Sequence, residues 1–222
     1  MENAMPRGVA ELVGTFTLTF IGGAAIVNAQ ATGLIGIAMA HGLALAVMIS
    51  CVGHISGGHF NPAVTTGFLV TGRMSAGEGA VYIISQLLGA TLAALLLLTL
   101  VPGATGTNPP LGGQALAAGV GFGPGVGIEI ILTFFLVFTV FATAVDERGA
   151  FRMIAGFGIG LALAFSILAG GPFTGASLNP ARSFGPALVS MFWTGHLVYW
   201  IGPLIGGALA ALLYDNVLME KK

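Results

Sequence analysis

The stretch SLNPARSFGP, Ser177 to Pro186, decides how this chain is read. Asn179 is a preferred N-cap, and Pro180 sits at the first helical position, where its missing N–H would have been unpaired in any case. A helix therefore starts here. The run Gly170-Gly171-Pro172-Phe173-Thr174-Gly175 before it is a poor helix interior, which predicts non-helical backbone leading into the cap. In a bilayer such backbone survives only where it is buried in protein or lines a water-filled cavity.

The same device stands earlier as Gly57-Gly58-His59-Phe60-Asn61-Pro62-Ala63-Val64-Thr65. Asn61 and Asn179 are 118 residues apart, Glu11 and Glu129 are 118 apart, and Gly42 to Ala46 (GLALA) recurs at the same displacement as Gly160 to Ala164. One Asn-Pro-Ala begins many ordinary helices. Two of them, sharing a displacement with two other features, mark an internal duplication.

With 56% hydrophobic and only 7% charged residues the chain is placed in a membrane. A net charge of −1 argues against nucleic acid as a partner. Cys51, the single cysteine, allows no intrachain disulfide and reads as a small buried apolar residue. The first apolar segment begins near Val9 and is longer than a signal-peptide core, so it is expected to be a span.

Six segments reach the roughly 20 residues needed to cross the hydrocarbon core; we place them at about 9–28, 34–53, 80–101, 126–145, 154–170 and 197–217. The Asn-Pro-Ala segments are shorter. Asn61 to Val70 covers roughly 15 Å as a helix, half the core, and reads as a re-entrant half-helix. Asn179 to Ser190 is similar, with Pro186 expected to kink or shorten it. Three spans and a half-helix per repeat invert the second repeat relative to the first. The expected fold is an all-α membrane protein of six transmembrane helices and two re-entrant half-helices. It forms one channel domain over 1–222, with repeat 1 at about 1–105, repeat 2 at about 120–222, and a connector near Pro102 to Gly125. In this topology Arg7, Arg73, Arg148, Arg152, Lys221 and Lys222 share one side, which the positive-inside rule makes cytoplasmic along with both termini. Arg182 lies on the other.

The paired Asn-Pro-Ala motifs, the Glu-led first spans and the Arg182 after the second motif together resemble the aquaporin family over nearly the whole chain. The resemblance implies a passive channel for water that excludes protons and ions, in a homotetramer with one pore per subunit. Asn61, Pro62, Ala63, Asn179, Pro180 and Ala181 are then the pore motifs. Each Asn side-chain oxygen is expected to cap its half-helix, leaving the amide N–H groups for permeating water, while the two positive helix ends repel cations. By the family's spacing the selectivity filter is His41, Ile167, Ala176 and Arg182, a set similar to plant tonoplast intrinsic proteins and less tight than a water-only filter. Ammonia, hydrogen peroxide, urea or glycerol are the further solutes this implies. Gln114 falls roughly where some of those relatives place an extra filter residue. The membrane expected is the cell membrane, or the vacuolar membrane if the host is a plant.

Glu11 and Glu129, ionisable groups within spans, suggest either a proton relay or acceptors that brace the re-entrant loops; bracing is favoured because both recur early in a span. His54 and His59 lie at the inner approach to Asn61 as lining or gate, and His196 reads as interfacial. No nucleotide loop, metal cluster or nucleophile–base pair is seen, so no enzyme, cofactor or metal is expected. The alternatives are an ion-coupled secondary transporter, which also uses inverted repeats and broken helices, and a structural junction protein.

Overall fold

The computed structural model describes residues 4–149 and 154–220. Arg152, Lys221 and Lys222, three of the residues behind the orientation argument, lie outside the described residues.

Eight α-helices are described, six of them long and apolar enough to cross a membrane. Helices α1 (Ala4–Val27), α2 (Ala29–Ser56) and α4 (Ala76–Leu100) are the spans of the first repeat, and α3 (Pro62–Val70) is its half-helix. Helices α5 (Phe122–Val140), α6 (Ala155–Thr174) and α8 (Val198–Leu213) repeat the pattern, with α7 (Pro180–Ser190) as the second half-helix. Turns of π-helix, Phe141–Val145 and Tyr214–Leu218, extend α5 and α8. Ser75 and Glu78 form a capping box that starts α4. Inside α2, Gly33 breaks the helix at φ 57°, so the continuous part of that span begins where expected.

Two expectations about the second half-helix change. Helix α6 runs through Pro172 to Thr174, so the non-helical stretch is only 175–178. A proline in the last turn removes one hydrogen bond near a frayed end, and the helix tolerates that. Pro186 likewise lies inside α7 without ending it, and the helix stops at Met191 in the left-handed region. The unwound stretches are then matched in length, 57–60 and 175–178.

The packing is related by the repeat. Helix α1 packs on α4 and α5 on α8, while α2 crosses α6 at the centre. That crossing is at the duplicated GLALA. A Cβ on Gly42 would lie 2.6 Å from the Gly160 carbonyl oxygen, and one on Gly160 would lie 2.3 Å from that of Gly42. Each half-helix docks on the last span of the other repeat, α3 on α8 and α7 on α4.

Cys51 is exposed rather than buried. On a lipid-facing surface a small apolar side chain meets hydrocarbon either way, so burial has little driving force there. His54 is exposed too, whereas His59 is buried. Arg7 pairs with Glu78, Arg73 with Asp215 and Arg148 with Asp146, all at one end of the bundle. The paired arginine lowers the Asp146 carboxyl below its ordinary range.

Candidate functional site: the pore

The tips of the half-helices meet by hydrogen bonds that cross the repeat. The Asn61 side-chain oxygen accepts from Ala63 N at 2.8 Å, and its Nδ2 donates to the Leu178 carbonyl at 2.8 Å. The Asn179 oxygen accepts from Ala181 N and Arg182 N, and its Nδ2 donates to the Phe60 carbonyl at 2.8 Å. The amide orientations follow from these partners. One N–H of each Asn is therefore spent on the opposite loop, where both were expected to be free. Phe60 and Leu178 stand at φ 50° and 55°, in the left-handed region. Their carbonyls have left the helical pattern and require a donor. Each amide keeps a second N–H beyond the one spent on the opposite loop.

The carboxylates hold these loops. Glu11 Oε1 accepts from Ser56 Oγ and His59 N, and Oε2 from Phe60 N and Gln86 Nε2, at 2.6–2.9 Å. Glu129 Oε1 accepts from Thr174 Oγ1 and Ser177 N, and Oε2 from Leu178 N. Both are fully buried. Tyr82 and Tyr199 close the arrangement by donating to the carbonyls of Ser56 and Thr174. Ser56 with Thr174 and Thr65 with Ser183 share the 118-residue displacement; that spacing alone, applied to hydroxyl side chains, would have found them.

A cavity is lined by the two Asn tips. Its walls include repeat-related pairs: Leu18 with Leu136, Leu45 with Leu163, His59 with Ser177, Asn61 with Asn179. Val64 and Arg182, also 118 residues apart, face it from the two half-helices. The second half therefore carries a cation where the first carries an isopropyl group.

Arg182 is only 3% exposed. Its Nε and Nη2 donate to His41 Nε2 at 3.0 and 2.8 Å, and His41 Nδ1 bonds to the Ile37 carbonyl at 2.8 Å. This pattern places the imidazole proton on Nδ1 and leaves Nε2 as the acceptor. The remaining Arg182 nitrogen, Nη1, has no protein partner. Ile167 and Ala176 are buried in the apolar core cluster. Gln114 is buried, with Oε1 accepting from Ser183 Oγ and Nε2 donating to the Gly112 carbonyl. His59 reaches Thr65 Oγ1 at 3.1 Å and packs 4.3 Å from the Phe68 ring. Among the described residues no group of His, Cys, Asp and Glu is arranged to hold a metal ion.

The family model for major intrinsic proteins matches residues 2–214. The chain is 49% identical over 225 residues to Aquaporin TIP4-4 of Zea mays, covering 96% of this chain and 86% of that one. It is 49% identical over 221 residues to Aquaporin TIP2-1 of Arabidopsis thaliana, covering 95% and 86%. Among solved structures, the aquaglyceroporin from Plasmodium falciparum superposes with a TM-score of 0.85 over 97% of both chains, at 24% identity; the likeness is one of fold.

Proposed function

Since this chain belongs to the major intrinsic protein family and is a channel of the aquaporin kind, we propose that its pore passes water in single file and downhill, with small neutral solutes, and refuses protons and ions. The observation that carries this reading is the crosswise pair Asn61–Leu178 and Asn179–Phe60 in mid-cavity. Each Asn keeps one N–H for the lumen. A water between them must offer its oxygen to both, which breaks the donor–acceptor chain a proton would follow. The N-termini of α3 and α7 point at the same place with their positive ends, which disfavours any cation there.

In this reading the filter is His41, Ile167, Ala176 and Arg182. The free Nη1 of Arg182 donates to the permeant, while Ile167 and Ala176 supply apolar and small walls. Such an opening passes urea, ammonia, hydrogen peroxide or glycerol more readily than one narrowed by an aromatic ring. Glu11 and Glu129 brace the loops and take no part in proton transfer, because their oxygens are occupied by loop donors. His59 lines the inner approach, and Gln114 supports the outer one through Ser183. The protein acts as one multi-pass channel domain in a homotetramer, with both termini cytoplasmic. Its similarity to plant relatives favours the vacuolar membrane for a plant host.

Stopped-flow light scattering on proteoliposomes tests this. Shrinkage should scale with the osmotic gradient, need no ion gradient, and leave an entrapped pH dye unchanged. A rate that saturates with solute, depends on an ion gradient, or carries protons inward would overturn it.

A further inference from the structure

Gly22 on α1 faces the His41 ring. A Cβ built there would lie 2.1 Å from His41 Nε2, 2.4 Å from Cδ2 and 2.6 Å from Cε1. No side chain fits at residue 22 while the ring stands where it does. The atom nearest to the missing Cβ is the one that accepts both Arg182 hydrogen bonds.

The duplication supplies an internal comparison. Residues 118 positions on from Gly22 and His41 are Val140 and Ile159, both buried in the core cluster and both on the cavity wall. At the equivalent place in the second repeat, then, the architecture accepts a branched side chain. Helix packing in general does not demand a glycine here; the imidazole at residue 41 does.

We propose that Gly22 sets the aperture of the pore, as a positioning residue: by yielding its side-chain space to the His41 ring, it lets that ring fix the Arg182 guanidinium at the cavity wall. This rests on the filter reading above. A methyl group at residue 22 displaces the ring from where it stands. The two hydrogen bonds at Nε2 then fail, and the released cation turns its N–H groups to the water in the lumen, narrowing the path for solutes larger than water.

The test is a double-mutant comparison in one liposome preparation. Gly22→Ala should lower the urea-to-water permeability ratio roughly tenfold, the scale on which a methylene-sized change is discriminated in a fitted site. In a His41→Ala background the same substitution has no ring to strike, and the ratio should change less than about twofold. An unchanged ratio in Gly22→Ala, or an equal fall in both backgrounds, overturns the inference. Thermal unfolding in detergent gives a readout independent of flux: Gly22→Ala should lower Tm in the native background and not with His41→Ala. If Gly22→Ala alone does not fold, the double variant must restore the monodisperse peak on gel filtration, and its failure to do so also overturns the inference. Native vesicles that pass no water would remove the proposed function, while the Tm comparison would still decide the role of Gly22.

Discussion

Arg182 and Val64 occupy equivalent positions in the duplicated halves, so the guanidinium is the point at which the two halves of the pore differ most in charge. Replacing it with the residue the other repeat uses, Arg182→Val, should keep water permeability within about threefold while raising urea flux and admitting protons, since a fixed cation is an electrostatic barrier at close quarters. Light scattering and an entrapped pH dye read both on the same vesicles. His196 lies just before α8, where Trp200 Nε1 donates to its Nε2 at 3.0 Å and the Trp193 ring packs edge-on at 4.9 Å. Partial burial lowers its pKa from the ordinary imidazole value, so the unfolded chain binds the proton more readily than the folded one. The stability from its neutral form is present above the free-imidazole pKa of about 6.5 and is lost as pH falls through the lower folded value. Below that value the protonated ring can no longer accept from Trp200. The fluorescence of the two tryptophans should change on acidification, and His196→Gln should abolish that titration.

At the scale of elements, two devices fix the re-entrant loops and the spans around them. One is the carboxylate brace. Glu11→Gln puts an N–H₂ group where backbone N–H donors already converge, and should cost about 1–3 kcal/mol for the donors left unpaired, read as a lower Tm in detergent. The other is close helix contact. A Cβ on Gly89 would lie 2.3 Å from the Leu12 carbonyl oxygen between α4 and α1, and one on Gly206 would lie 2.3 Å from that of Ile130 between α8 and α5. Backbone cannot yield as a side chain does. Gly89→Ala and Gly206→Ala should each destabilise by about 1–3 kcal/mol through overpacking, whereas Gly127→Ala, with nothing within 4 Å, should be neutral by the same measurement.

The whole molecule is tied together by exchange between its halves. Helix α3 rests on α8 and α7 on α4, and each Asn donates to a carbonyl of the other loop. The connector joins in, with Ala117 N donating to the Phe173 carbonyl and Gln114 accepting from Ser183. A repeat expressed alone would leave its half-helix without the span it docks on. Fragments 1–119 and 120–222, cut at the exposed Gly119, should restore water permeability when co-expressed, because a break at an exposed loop tip is tolerated. Neither fragment alone should form a channel, and a conducting single fragment would contradict the exchange.

The spans, the duplication and the two capped half-helices were legible in the sequence because each rests on signals that can be read along the chain: apolar length, an Asn-Pro start, and a fixed displacement shared by several features. Glu11, Glu129 and Arg182 stood out for a related reason, as charges in segments that should hold none. Local signals misjudged the end of α6, where a terminal proline was absorbed, and the exposure of Cys51, where lipid removes the drive to bury. The tertiary structure alone decided which repeat each half-helix packs against, how each Asn divides its two donors, and how Gly22 and His41 together aim Arg182. Those choices depend on which unpaired group lies within about 3 Å of which partner, and residues far apart in the chain acquire such distances only when the helices pack.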